Sequence, residues 1–356
     1  MIVAKAARPR KATHDVIAPT FGEPSTDVYR NMASIGNRLV EGWTALAAPL
    51  TGDKLRDAIE AGDVDAIVAG LDWEAFTLAA NDTVTPVRHT LTSFARLELT
   101  PDSKRRPIRK ARSATVEVPL PPPLLDEETP LDAKLRRRLF ADVDQRALDF
   151  ASVSAGRLIT SVQESTKQAV REQVVEALKG AMTTDQLARR LRAVVPLSPV
   201  QAGSVAKIHA AAIRDVLEAA EKAGRAPTAS ALAGADKIAE RAAAKKLRYR
   251  ASLIARTEVV AASNQGRNLA WQSTVAAGVS AKNSVKEWIA APDACDVCAA
   301  IDGEQVPWDQ PFSTGDDMPP DHPACRCSAV LLPPDMANEP EDPIYATDDL
   351  LIGAGA

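Results

Sequence analysis

Apolar residues recur along this chain at spacings of three and four, the pattern of helices that bury one face. The first stripe runs through Val28, Met32, Ile35, Leu39 and Trp43, with Ser25 placed to cap the helix over Thr26 and Asp27. A second helix starts near Thr51 with Leu55 and Ile59, and resumes past a Gly62-Asp63 break with Val64 and Ile67. Gly70 and Asp72 bracket a turn, and a short helix follows over Trp73–Leu78. Residues 1–100 therefore read as a helical N-terminal unit, of which 1–23 form a flexible arm without periodicity.

The periodicity lapses over 101–133. This stretch joins a basic run, KRRPIRKAR, to Pro119, Pro121, Pro122 and Pro123, which forbid a regular helix and favour extended geometry. A semi-rigid linker is the expectation. From about Leu131 the helical signal returns, and between Asp144 and Lys179 a long stripe holds Leu148, Ala151, Ala155, Leu158, Val162, Ala169, Val174 and Leu178, stopped by Gly180. Thr183 and Gln186 have capping-box spacing for a short helix with Leu187 and Leu191, ended by Pro196 and Pro199. Further helices are expected at 200–223, 228–244 and 246–275, packed as antiparallel hairpins because their connections are short. After Ala281 short apolar stretches broken by Pro, Gly and Asp predict strands and turns. The expected fold is mainly α. A helical N-terminal unit and a proline-rich linker lead to a long-helix domain over 134–333, helical through 278 and ending in a small Cys/His-rich α+β module at 279–333. An acidic tail, 334–356, follows, and no fixed-period repeat is present.

Composition sharpens this picture. Hydrophobic residues make up 46% of the chain but aromatics only 4%, which favours helices packed through small side chains. A net charge of −4 excludes a chain that wraps nucleic acid over its whole surface. Local basic runs remain candidates for phosphate contact. The chief one is Lys104, Arg105, Arg106, Arg109, Lys110 and Arg112, with KLRRR at 134–138 and the cations of 241–256 behind it. A solvated linker is the plain alternative for 104–112. No apolar run approaches the roughly 18 residues of a membrane span, and the N-terminal apolar patch is too short for a secretion signal. The reading predicts a chain made in a cytoplasm, with no membrane partner and no small-molecule substrate.

All four cysteines lie between 295 and 327. Cys295-x2-Cys298 is followed, after 23 intervening residues, by His322-x2-Cys325-x-Cys327. Two short motifs supplying thiolates and an imidazole from opposite sides suit a tetrahedral structural zinc. Five candidates, Cys295, Cys298, His322, Cys325 and Cys327, compete for four places, the last falling to Cys325 or Cys327. Packed thiols, late disulfides and a redox-active pair are the alternatives, the last without a surrounding βαβ pattern. No histidine heads the H-x-E motif of a zinc deaminase, and HExxH, phosphate-loop and nucleophile-elbow motifs are absent. No catalytic residue is assigned.

The helix before the cluster places polar groups on faces that should be buried. Leu247, Ala251, Ile254, Glu258, Ala261, Gln265 and Leu269 share one stripe, and Leu253, Thr257, Val260, Asn264 and Trp271 another. A buried carboxylate needs hydrogen bonds and usually a cation. The expectation is a latch of Arg256, Thr257, Glu258, Asn264 and Arg326 that holds the Cys-rich module to the helices, with Glu258 meeting Arg250, Arg256 or Arg326.

Read together, IARTEVVAASNQGR (254–267), Trp288, the Asp-x-Cys-x-x-Cys of 293–298, Asp302-Gly303 and PPDHPACRC (319–327) resemble the head-morphogenesis domain of phage-Mu-F-like minor capsid proteins. The resemblance spans about 140–330, and the first 130 residues carry no matching motif. It implies a structural protein of the virion, in the head interior near the portal vertex, made in the host cytoplasm. Implied partners are the portal protein and capsid or scaffold components, with phage DNA as a non-specific one. The implied role is procapsid assembly, extending to DNA packaging or ejection. The alternatives are a zinc-dependent enzyme, such as a nuclease or capsid-processing protein, and a DNA-binding module of the head interior.

Overall fold

In the computed structural model, residues 26–49, 53–99, 133–179, 191, 195–278, 280, 282–332 and 334 are described. The residues at 1–25, 101–132, 180–190 and 335–356 lie outside them. So do the expected cap at Ser25, the proline linker, the Thr183–Gln186 capping box and the acidic tail.

Helix α1 (Thr26–Ala47) buries the predicted face, with Val28, Ile35, Leu39 and Trp43 in the core and Met32 packed beside it. Two short helices follow, α2 (Asp53–Glu60) and α3 (Val64–Ala69), the second capped by the Asp63 side chain on the Ala66 N–H. Helix α4 (Trp73–Asn81) starts in the same way at Asp72. Helix α5 (Val84–Glu98) has no counterpart in the expected elements. It holds Val87, Leu91, Phe94 and Ala95 in the core, and Pro86 sits in its first turn, where no intrahelical N–H bond is lost.

Helix α6 (Ala133–Lys179) is 47 residues long and starts where the helical signal returns. Leu148 is exposed, whereas Leu139, Val143, Ala147, Ala151, Leu158, Val162 and Val174 face the core. Helix α7 (Pro199–Lys222) opens with a full capping box, in which Ser198 accepts from the Gln201 N–H and the Gln201 side chain accepts from the Ser198 N–H. The helices expected at 228–244 and 246–275 are one, α8 (Ala229–Ala276), 48 residues long. Nothing between Ala244 and Lys246 can stop it, since the junction holds neither Gly nor Pro.

Helix α8 is the axis of the molecule. Its N-terminal part pairs with α7 through alanines, Ala239 and Ala243 meeting Ala202 and Val205. Its C-terminal part packs on α1, α5 and α6. One core cluster joins residues of α1 and α5 to Ala251, Ala255, Val259, Ala262 and Leu269 of α8. The approach of α5 is close because residue 266 is glycine: a Cβ there would stand 2.3 Å from the Leu91 carbonyl oxygen. Arg250 is spent on this body. It donates to the Pro196 carbonyl and to Ser165 Oγ, both at 2.8 Å, and lies 5.0 Å over the Trp43 ring. Burial lowers its guanidinium to about 10, so it is no candidate for surface phosphate contact.

Beyond α8, strand β1 (Val285–Ile289) is central in a three-stranded antiparallel sheet, between β2 (Gln305–Pro307) and β3 (Ser328–Leu332). A short helix α9 (Asp296–Ala300) lies between β1 and β2. No helix among the described residues is long and apolar enough to cross a membrane.

A candidate metal centre seated on the long helix

The small module has its own core. Trp288, on the buried side of β1, meets Phe312 edge-on at 5.1 Å, and both pack with Trp271 of α8 and with Cys298, Cys325 and Cys327. Gly303, at φ +80, makes the tight turn into β2 and donates its N–H to the Trp288 carbonyl. Asp302 ties that turn back to the Ala290 N–H at 2.8 Å. These bonds give Asp302-Gly303 its place in the motif.

Cys295 is the N-cap residue of α9, which places Cys298 in the first turn. His322 comes from the facing loop. Its Nδ1 lies 2.9 Å from the Pro323 carbonyl, which can only accept, so Nδ1 carries a proton. Nε2 is thereby aimed at the thiols, 3.2 Å from Cys295 Sγ and 3.3 Å from Cys298 Sγ. Cys298 Sγ stands 3.8 Å from Cys325 Sγ. Two ligand groups result, Cys295–Cys298–His322 and Cys298–Cys325–Cys327, with Cys298 common to both.

Within each group these spacings suit ligands that share a metal. Two sulfurs, each about 2.3 Å from zinc, stand about 3.8 Å apart, and a sulfur and an imidazole nitrogen somewhat closer. A disulfide needs about 2.0 Å, and all four cysteines are free. The electrostatics point the same way. Burial and the neighbouring Cys325 push the Cys298 thiol up to about 12. The hydrogen bond from Cys327 draws the Cys325 thiol down to about 5, and the same bond, with burial, pushes Cys327 up. Backbone N–H groups of the α9 turn, that of Cys298 first, lower the exposed Cys295 thiol. The bond to Pro323 raises His322. Thiols packed this tightly ionise only at one another's expense, and a divalent cation is the group that lets several of them be thiolates together.

Residues 168–330 match the family described as Phage Mu protein F like protein. This segment, just under half of the chain, is phage Mu F-like. No curated protein and no solved structure matches it. All five candidate ligands lie inside the Mu F-like segment, as do α7 and α8, whereas α1 and α5 lie outside it.

The residues expected to latch the module divide into two sets. Thr257 and Asn264 reach it. The Ala324 N–H donates to Thr257 Oγ1 at 2.9 Å, and Ala324 has a φ of 66, a left-handed geometry that this bond helps to hold. Asn264, fully buried, donates to the Cys327 carbonyl and accepts from Ser328 Oγ, both at 3.1 Å. Glu258 meets none of the three expected arginines; it accepts from Ser154 Oγ of α6, with Arg157 nearby. Arg326 pairs with Asp293 inside the module, and Arg256 Nε is buried without a hydrogen-bond partner. Lys104, Arg105, Arg106, Arg109, Lys110 and Arg112 lie outside the described residues.

Arg267 is the seam residue that sequence reasoning missed. It donates to the Ala329 carbonyl at 3.2 Å, approaches Glu98 of α5 at 3.6 Å and lies 5.8 Å over Phe94. One side chain thus joins the family segment to the helices that precede it. The available signal was its place one turn after Ser263 and Asn264, on a helix face already assigned to burial.

Proposed function

We propose that this protein is a structural minor head protein of a phage, acting in head assembly through contacts with the portal and capsid components, and that it is not an enzyme. The observation that carries the reading is the seating of the Cys/His module on α8 within the Mu F-like segment. Three α8 side chains, Thr257, Asn264 and Arg267, bind the backbone of residues 324–329. That is how a rigid docking surface is built. Zinc would be held by Cys295, Cys298, His322 and one thiolate of the Cys325/Cys327 pair. When bound, it cross-links the two loops and neutralises their thiolates, and four protein ligands leave no position for a reactive water. Cys298, common to both ligand groups, is the residue on which closure depends.

The test is incorporation. Heads and virions purified from producing cells should contain the chain in low copy, and it should co-purify with the portal protein. A chain carrying Cys298→Ser should be made but excluded from heads. Wild-type incorporation of that variant would refute the docking role of the module. Absence of the wild-type chain from purified particles would refute the head-protein reading itself.

A further inference from the structure

One surface of α8 takes no part in the packing described above. Lys237, Arg241, Lys245 and Arg248 follow at steps of four, four and three residues, and all four are exposed. Such steps keep side chains on one stripe of a helix, here opposite the buried Ala235, Ala239 and Ala243. Ser252 and Arg256 continue it at further steps of four. From Lys237 to Arg256 the row extends about 28 Å at 1.5 Å per residue.

The middle of the row, Arg241 to Ser252, is positive without an acid on the helix beside it. Between Arg241 and Thr257 there is no Asp or Glu. Of the three acids of α8, Asp236 is bonded to His209, Glu258 to Ser154, and Glu240 neighbours only the first cation of the row, Lys237, lying about 100° round the helix from Arg241. Among the described residues, Lys237, Arg241, Lys245 and Arg248 enter no ion pair. At the module end Arg326 lies close enough to Arg256 to act on it by repulsion, offset in part by Asp293, the partner of Arg326. Tyr249, 60% exposed, lies beside Arg248. In a chain of net charge −4, four cations without an ion pair thus line one straight edge of the described residues.

We propose that this edge of α8 is a binding surface for the phosphate backbone of double-stranded nucleic acid. A rigid row of about 28 Å runs alongside about eight phosphates of one strand, at one per 3.4 Å of duplex axis. No side chain here is arranged in a fork toward base edges, so the contact is sequence-independent. Within the head-protein reading the ligand is the packaged genome, but binding by the purified chain is measured without phage particles. A negative result would therefore leave that reading untouched.

The experiment uses the full chain and a labelled duplex of about 25 base pairs of mixed sequence, titrated at several salt concentrations. The triple variant Arg241→Gln, Lys245→Gln, Arg248→Gln changes exposed positions only, and helix content by circular dichroism checks that it is folded. Its control is Lys207→Gln, Arg214→Gln, Lys222→Gln on α7, with the same loss of charge. At about 0.9 per phosphate contact, the stripe variant should lower the slope of log K against log salt by about 2.7 and weaken binding at 0.1 M salt by about two orders of magnitude. The α7 control should bind within about threefold of wild type. Equal binding by wild type and the stripe variant would overturn the proposal. So would a wild-type chain that binds duplex only after the acids of its own tail, Asp335 to Asp349, are changed to amides, since the stripe would then be the tail's site.

Discussion

Replacing Gly266 with alanine tests the packing of α5 on α8 more directly than any core truncation. Intrinsic helix propensity alone predicts a gain of about 1 kcal/mol. The structure predicts a loss. The added Cβ would stand 2.3 Å from the Leu91 carbonyl oxygen and 3.2 Å from the Ala95 nitrogen. Both are backbone atoms of a packed helix, so no rotamer change relieves the clash. The helices must part by about 1 Å to restore ordinary contact, and every neighbouring contact along the seam then weakens. Overpacking of this kind costs about 1–3 kcal/mol, and a backbone obstacle puts it at the upper end. Against the propensity gain, the net effect is a loss of about 2 kcal/mol, or about 4–8 °C in Tm for a body of this size. Gly234 supplies the control, because it lies in the same helix with nothing within 4 Å of its added Cβ. Gly234→Ala should stabilise by about 0.5–1 kcal/mol. Urea unfolding of both variants decides the matter: if Gly266→Ala is as stable as Gly234→Ala, the close approach of α5 is wrong.

Other predictions follow from the seam and the metal centre. Asn264→Leu strands the Cys327 carbonyl and the Ser328 hydroxyl in a buried site and should destabilise by about 2–4 kcal/mol in denaturant unfolding. Thr257→Val removes the acceptor of the Ala324 N–H and should cost about 1 kcal/mol; no change in unfolding midpoint would deny that bond a role. Burial raises the Glu258 carboxyl, against the lowering effects of Ser154 and Arg157. A carboxyl raised in the folded state weakens folding above the raised value, and the penalty fades as pH falls toward its ordinary range. Glu258→Gln should therefore be more stable than wild type at neutral pH, with the difference closing on acidification. A difference that widens in acid would contradict this. Elemental analysis of protein purified under reducing conditions should find one zinc per chain, lost together with thermal stability in Cys298→Ser; a metal-free wild type would remove the structural role given to the cluster.

Large side chains made much of the architecture legible. Val28, Ile35, Leu39 and Trp43 mark one face of α1 without ambiguity, and the cysteine spacing points to the Cys/His cluster before any fold is known. Alanine-rich stretches were harder. On α6 the predicted stripe holds from Ala151 to Val174 but fails at its first member, Leu148, where Ala147 and not the larger leucine is the residue in contact. Helix α5 was hidden by its threonines and by Pro86, although a proline in a first turn marks a helix start as readily as a break. The split placed near residue 245 does not exist, since no Gly or Pro there interrupts the hydrogen-bond ladder. Partner choice lay furthest from reach. Glu258 asks for a partner from the sequence alone, but Ser154 is 104 residues away on a helix whose register only the packed structure sets.

The family segment begins at residue 168, about three quarters of the way along α6, and excludes α1 and α5. Those helices nevertheless cover Ala255, Val259 and Ala262 and fill the groove left by Gly266. The inherited block and the folded block therefore differ in extent. A fragment cut at the inherited boundaries would open that groove to water and halve the hold of Arg267. A chimera that exchanges this domain between two such proteins keeps its core only if residues 26–98 travel with it.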